Sequence, residues 1–236
     1  MPLNVPGLLA PFQLLFRPYL VLPSVVIKDL RCLDFCALHR AGYRGAVIDK
    51  DNCLTLPYED KLVPELNVAW EECKNVFGAE NILIVSNSAG TYLDPGGIEA
   101  ESVSFHLGVP VLRHNTLKPG YACISAIRAY FASLPTPVPD NALVIVGDRI
   151  FTDVVLANRI RPYNLIGKRA PSATFEKTEL NKPDNGPNGP LSVFVENVWR
   201  KDSTAMRFLE KKVVDLVQRW NRVEENEVHK SLFVRN

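Results

Sequence analysis

The stretch "AVIDKDNCLT" (residues 46–55) carries an apolar run into two carboxylates, Asp49 and Asp51, one residue apart and followed by Asn52. Other apolar runs end in polar groups too. "ILIVSNS" delivers Ser86, Asn87 and Ser88, and "ALVIVGD" delivers Asp148, with Asp153 shortly after it. Lys118 follows a shorter run, "VPVLRH". Carboxylates gathered within a few ångströms repel one another and raise each other's pKa unless a cation sits between them. Hard oxygen ligands with positions left open suit Mg2+, which takes one or two protein carboxylates together with phosphate and water. A hydroxyl and an ammonium are then left to hold the other oxygens of a tetrahedral dianion. Collected in one place, these residues make a phosphoryl site. Each fragment alone is ordinary, since Asp, Asn and Ser favour turns and helix caps on their own account. Their order, each after an apolar run, is what points to chemistry.

Those groups need a scaffold that brings distant chain segments level. Short apolar runs alternate with amphipathic stretches from residue 24 onward, the pattern of a Rossmann-like α/β fold with a parallel sheet covered on both faces. Ligand sites in such sheets lie at the carboxyl ends of the strands, where every candidate group falls. The spacing predicts helices over 24–42, 64–78, 98–109, 119–134, 151–160 and 203–227. Strands are predicted over 43–49, 81–90, 109–114, 141–148 and 162–167, and a mobile Pro/Asn/Gly-rich loop over 177–190. The chain has 236 residues, 47% apolar and 22% charged, enough for one substantial domain. Its net charge of +1 gives no argument for nucleic acid as a partner. The five cysteines show no metal-ligand spacing and read as reduced thiols of an intracellular protein, with Cys32 and Cys36 expected on the buried face of the first helix.

In this order, "DKDNCLT", "ILIVSNS", Lys118-Pro119 and "VGDRIFTD" resemble the four motifs of the haloacid-dehalogenase (HAD) superfamily over residues 44–167. The resemblance implies that Asp49 is the nucleophile and that Asp51 is the acid and then the base. It implies that Ser86, with Asn87, contacts the transferring phosphoryl group and that Lys118 neutralises it. Asp148, Asp49 and the backbone carbonyl of Asp51 would hold Mg2+, with Asp153 supporting Lys118 or the metal shell. Cys53 departs from the usual Thr or Val, a small change that is not expected to abolish activity. The second aspartate separates a phosphatase from a dehalogenase. A response-regulator receiver assembles similar groups in a different chain order and is rejected, and a silent adaptor is disfavoured because every catalytic position is filled. One helix with its strand fills each interval between motifs, so no cap domain fits. The open site suits a phosphate on something large. The whole chain is similar to the fungal-type mitochondrial phosphatidylglycerophosphate phosphatases. That similarity implies hydrolysis of a phospholipid phosphomonoester for cardiolipin synthesis, at the matrix face of the inner membrane. The alternative is a capless phosphatase of phosphoproteins or another macromolecular ester.

Residues 1–23 form an acid-free apolar arm ahead of a single domain over 24–236. Pro11, Pro18 and Pro23 interrupt it, and each removes a backbone donor that hydrocarbon would not replace, so it does not read as a membrane span. It also lacks the marks of a secretory signal or transit peptide. Two readings stand: an arm packed on the domain, or a segment that associates the protein with a membrane by inserting Phe12, Leu15, Phe16, Tyr19 and Leu20 at the interface. Arg17, Lys50, Arg149, Lys168 and Arg169 are candidates for contact with an anionic headgroup.

Overall fold

A computed structural model describes residues 17–161, 187–200, 204–221 and 232–235. Its strands are β1 (Val25–Ile27), β2 (Gly45–Ile48), β3 (Ile82–Ile84), β4 (Leu143–Gly147) and β5 (Leu191–Val195). They form one parallel sheet in the order β1-β5-β4-β2-β3. Every residue of β2, β3 and β4 is buried, as a parallel sheet with two covered faces requires. Alternate strand residues point to opposite faces. Ala46, Ile48, Val144 and Val146 pack beneath α1 (Phe35–Arg40), α2 (Asn67–Phe77) and α3 (Ile98–Leu107). Val47, Leu143 and Ile145 pack beneath α4 (Tyr121–Ala132) and α5 (Val155–Ile160). The expected Rossmann-like α/β architecture is therefore present.

Connectivity decides where the chain leaves an opening. The helix after β2 covers one face and the helix after β4 covers the other, although β2 and β4 are neighbours. Their chains separate at the carboxyl ends, and a crevice opens at this switch point. Ile48 is paired with Val146, and the Asp49 N–H donates to the Val146 carbonyl at 2.9 Å. The Val85 N–H donates to the Ile48 carbonyl at 3.0 Å. Residues just past β2, β3 and β4 thus arrive side by side.

Several expectations are corrected. Residues 24–42 do not form one helix: Val25, Val26 and Ile27 pair with β5, and the β-branched run fits a pleated edge better than a helix. Asp34 then starts the short α1 by accepting the Ala37 N–H at 2.8 Å. With the helix broken, Cys36 is exposed rather than buried. Strand β5 falls in a stretch given no element by the sequence pattern, and it sits inside the sheet between β1 and β4. Residues 109–114 contribute only one parallel bridge, Val111 to Ile84. The expected strand at 162–167 lies outside the described residues, as does all of the 177–190 loop except 187–190.

The described part of the N-terminal arm belongs to the core. Asn158 on α5 donates its amide hydrogens to the Leu20 and Leu22 carbonyls at 2.9 and 3.0 Å. Leu20, Val21 and Leu22 are buried against Ile150, Phe151, Val154 and Val217, the last on α6 (Thr204–Asn221). Leu20 is therefore not available for insertion into an interface, and Tyr19 packs against the same cluster. Leu20→Ala should destabilise the fold by about 2–5 kcal/mol in urea titration, the usual cost of emptying a buried leucine site. Unchanged stability would mean the arm does not pack here.

Candidate active site

Asp49 is the first residue past β2. Its Oδ1 accepts the Lys50 backbone N–H at 2.9 Å and pairs with the Lys118 ammonium at 2.8 Å. The same ammonium meets Asp153 Oδ1 at 2.7 Å, and the Lys118 side chain is 2% exposed. Asp148 follows β4 directly, and oxygens of Asp49, Asp148 and Asp153 all lie within 4.8 Å of one another. At such a distance two carboxylates repel by roughly 3–4 kcal/mol at an effective dielectric near 20. Burial, Asp49 and Asp153 push Asp148 up to about 7. Burial also raises Asp153, against the pull of Lys118. Burial opposes the Lys118 charge, yet Asp153 and Asp49 hold its pKa well above the ordinary lysine value.

Local backbone places Asp153. The Ile150–Val154 segment is a single π-helical turn, a feature common at functional sites. The turn lays the Asp153 side chain over Gly147, where a Cβ would overlap its Cβ and Cγ. The Arg149 N–H and the Thr152 hydroxyl donate to Asp153 Oδ2 at 3.2 and 3.1 Å, fixing that oxygen while Oδ1 faces Lys118.

Asp51 stands apart from the acidic cluster. Its Oδ1 meets Lys50 Nζ at 3.1 Å and accepts the Tyr58 N–H at 3.2 Å. Burial, and to a lesser extent Asp49, raise its pKa and favour retention of a proton, against the pull of Lys50. Ser86, past β3, is buried; its hydroxyl accepts the Ser88 N–H and shares a hydrogen bond with the Ser88 hydroxyl, both at 3.0 Å. Asn87, expected at the substrate, instead turns its amide to the Lys118 backbone, its Oδ1 accepting the Lys118 N–H at 2.6 Å. That bond docks the lysine loop onto the end of β3. His114 braces the same loops, its ring nitrogens 3.0 Å from the Ser86 carbonyl and 2.7 Å from that of Thr116.

The headgroup candidates fare differently. Lys50 is completely buried and paired with Asp51 and Glu99, so no lipid reaches it. Arg149 is partly buried, Arg17 is exposed, and Lys168 and Arg169 lie outside the described residues. The sequence reading missed Arg207 and Glu210 on α6. Arg207 pairs with the Asp148 carboxylate and donates to its carbonyl at 3.2 Å. Glu210 accepts the Phe151 N–H at 3.3 Å, tying α6 to the π turn. No local pattern marks them, because only packing brings α6 to a site 59 residues away in sequence.

Asp49, Asp148 and Asp153 offer only hard oxygen donors, and burial leaves their repulsion incompletely offset by Lys118 and Arg207. Such a donor set fits a small divalent cation. Among the described residues, the intervals from Asp51 to Ser86 and from Ser86 to Lys118 hold a loop and one α-helix each, α2 and α3, and no cap domain. Fold and site together define an α/β protein of the HAD type, built around a buried acidic crevice.

The chain belongs to the mitochondrial PGP phosphatase family, whose family model matches residues 5–169. It is 36% identical over 163 residues to the mitochondrial phosphatidylglycerophosphatase GEP4 of Saccharomyces cerevisiae, covering 69% of this chain and 86% of that protein. It is 43% identical over 141 residues, 59% of the chain, to the chloroplastic phosphatidylglycerophosphate phosphatase 1 of Chlamydomonas reinhardtii. It is 38% identical over 159 residues, 66% of the chain, to the chloroplastic/mitochondrial phosphatidylglycerophosphate phosphatase 1 of Arabidopsis thaliana. The matches span 50% and 44% of these two longer relatives. No solved structure matches the chain significantly.

The close approach at Gly147 generates a test. Gly147→Ala should push Asp153 off Lys118 and lower p-nitrophenyl phosphate turnover about 10²-fold, since small misplacements of a reactive array carry costs of that order. Circular dichroism should show a retained fold. Wild-type turnover would mean that the Asp153 position is irrelevant to the chemistry.

Proposed function

We propose that this protein hydrolyses phosphatidylglycerophosphate to phosphatidylglycerol and phosphate, in a Mg2+-dependent reaction that passes through an aspartyl-phosphate on Asp49. The observation that carries this reading is the buried convergence of Asp49, Asp148 and Asp153 on Lys118, in a chain of the PGP phosphatase family.

The residues divide the work as follows. Asp49 Oδ1 already accepts from Lys118 and from the Lys50 N–H, which leaves Oδ2 to attack phosphorus. Lys118 neutralises charge on the phosphoryl oxygens, and the Ser86 hydroxyl rotates to donate to one of them. Asp51 gives its proton to the departing glycerol oxygen and then takes one from the water that cleaves the aspartyl-phosphate. Bound by Asp49, Asp148 and the Asp51 carbonyl, with Asp153 in support, Mg2+ would shield the nucleophile from the phosphate dianion it approaches. Asn87 serves this chemistry by holding the Lys118 loop in place.

The capless crevice favours a substrate presented at a surface, and the names of the relatives point to a phospholipid. We place the reaction in mitochondria, at the matrix face of the inner membrane, on the way to cardiolipin. Residues 1–16, with Phe12, Leu15 and Phe16, are the proposed membrane contact. No described helix is long and apolar enough to cross a membrane.

Phosphate release should be fastest from liposomal phosphatidylglycerophosphate when it is compared with phosphopeptides and nucleotides. It should stop in excess chelator, return with Mg2+, and be absent in Asp49→Asn. Faster release from phosphopeptides would transfer the assignment to the alternative substrate class, and full activity in chelator would remove the metal. Deleting residues 1–16 should preserve p-nitrophenyl phosphate hydrolysis while depressing liposome binding severalfold. Normal liposome binding by the truncated protein would show that the arm is not an anchor.

A further inference from the structure

Lys50 separates the two aspartates in sequence, yet its side chain is completely buried. Its ammonium meets Asp51 Oδ1 at 3.1 Å, Glu99 Oε1 at 3.0 Å and the Glu59 carbonyl at 3.2 Å. The ammonium therefore lies within 3.2 Å of three oxygens, two of them charged, which confines it to this position. Asp51 Oδ1 also accepts the Tyr58 N–H at 3.2 Å. Tyr58 reaches that position with a φ of 67°, uncommon for a bulky residue, which marks a deliberately held turn. With two donors on Oδ1, the other oxygen is the one left for the transferring proton. Among the described residues, Asp51 Oδ2 has only a 3.5 Å contact with the Ser88 hydroxyl.

Glu99 is itself clamped. Asp94 accepts the N–H groups of Glu99 and Ala100 at 2.9 Å each, and that of Gly90 at 2.9 Å, which fixes the first turn of α3 against the loop after β3. Glu99 Oε1 accepts the Ser88 hydroxyl at 2.9 Å, and Ser88 in turn bonds Ser86. A continuous chain therefore runs from Asp51 through Lys50, Glu99 and Ser88 to Ser86.

We propose that Lys50 and Glu99 are positioning residues that aim Asp51 Oδ2 at the leaving oxygen of the substrate. This rests on the reading of Asp51 as the general acid. In that step the bond from Asp49 to phosphorus forms and the bond from phosphorus to the ester oxygen breaks. The electron pair left on that oxygen takes the proton from Asp51 Oδ2, and Asp51 becomes a carboxylate. An alkoxide cannot leave without the proton, whereas a nitrophenolate needs little help.

The test compares kcat/KM on a short-chain, water-soluble phosphatidylglycerophosphate with kcat/KM on p-nitrophenyl phosphate. Misaiming the acid in Glu99→Gln and Lys50→Met should lower the alkyl ester value roughly tenfold or more and the aryl value by no more than about threefold, within the usual range of general-acid effects. Equal losses on both esters, or no loss on either, would overturn the inference. If Lys50→Met does not fold, the near-isosteric Glu99→Gln decides alone. Asp51→Asn serves as the reference: without the same bias toward the alkyl ester, the general-acid reading falls and the inference with it. A biased Asp51→Asn beside unbiased Glu99→Gln and Lys50→Met would overturn the positioning role alone.

Discussion

One buried ammonium organises this protein. Lys118 Nζ bridges Asp49 and Asp153 at the buried floor of the crevice, with Asp148 beside them. Removing two or three carboxylates from water is costly, and leaving one without a partner is costlier than burying the set together. Everything that fixes the lysine therefore also fixes the acids. Asn87 and the brace at His114 hold its loop, the π turn holds Asp153, and Arg207 holds Asp148.

The sheet makes that arrangement reachable. Pairing of β2 with both β3 and β4 brings three chain ends level, and helices leaving toward opposite faces keep the crevice between them open. Distant segments complete it. β5 and β1 extend the sheet beyond β4, residues 20–22 anchor against α5, and α6 closes over the end of β4 through Arg207 and Glu210. The C-terminal helix is thus part of the site's support rather than an appendage.

The site contains two charge systems of different kinds. Around Lys118 the acids outnumber the cations, so the crevice is matched to a divalent ion and a phosphate dianion. Around Lys50 the ammonium is paired with Asp51 and Glu99 and donates to the Glu59 carbonyl, and Asp51 is held separately from the acidic cluster. Two aspartates one residue apart meet different surroundings, since Asp49 joins a cluster that demands a cation and Asp51 is already paired with one. Burial raises the pKa of Asp51, against the pull of Lys50.

The sequence alone determined the class of fold and marked the polar groups that the fold brings together. Asp49, Ser86 and Asp148 each sit where an apolar run stops, and those runs become the buried strands β2, β3 and β4, whose ends are the first places polar groups meet solvent. Local pattern failed where pairing with a remote segment decides conformation. Val25, Val26 and Ile27 show helical spacing yet become a strand because β5 offers them backbone partners, and β5 itself is short and follows a loop. The partners of each charge were illegible for the same reason. Lys50 reads as a surface cation beside two acids, and only the fold brings Glu99 and the Glu59 carbonyl to it and seals it. Arg207 carries no signal at all, since an arginine on an amphipathic helix is ordinary until packing lays that helix across Asp148. Residue type and order follow from the chemistry a chain must carry, whereas the neighbours of a charge follow from which surfaces fold against one another.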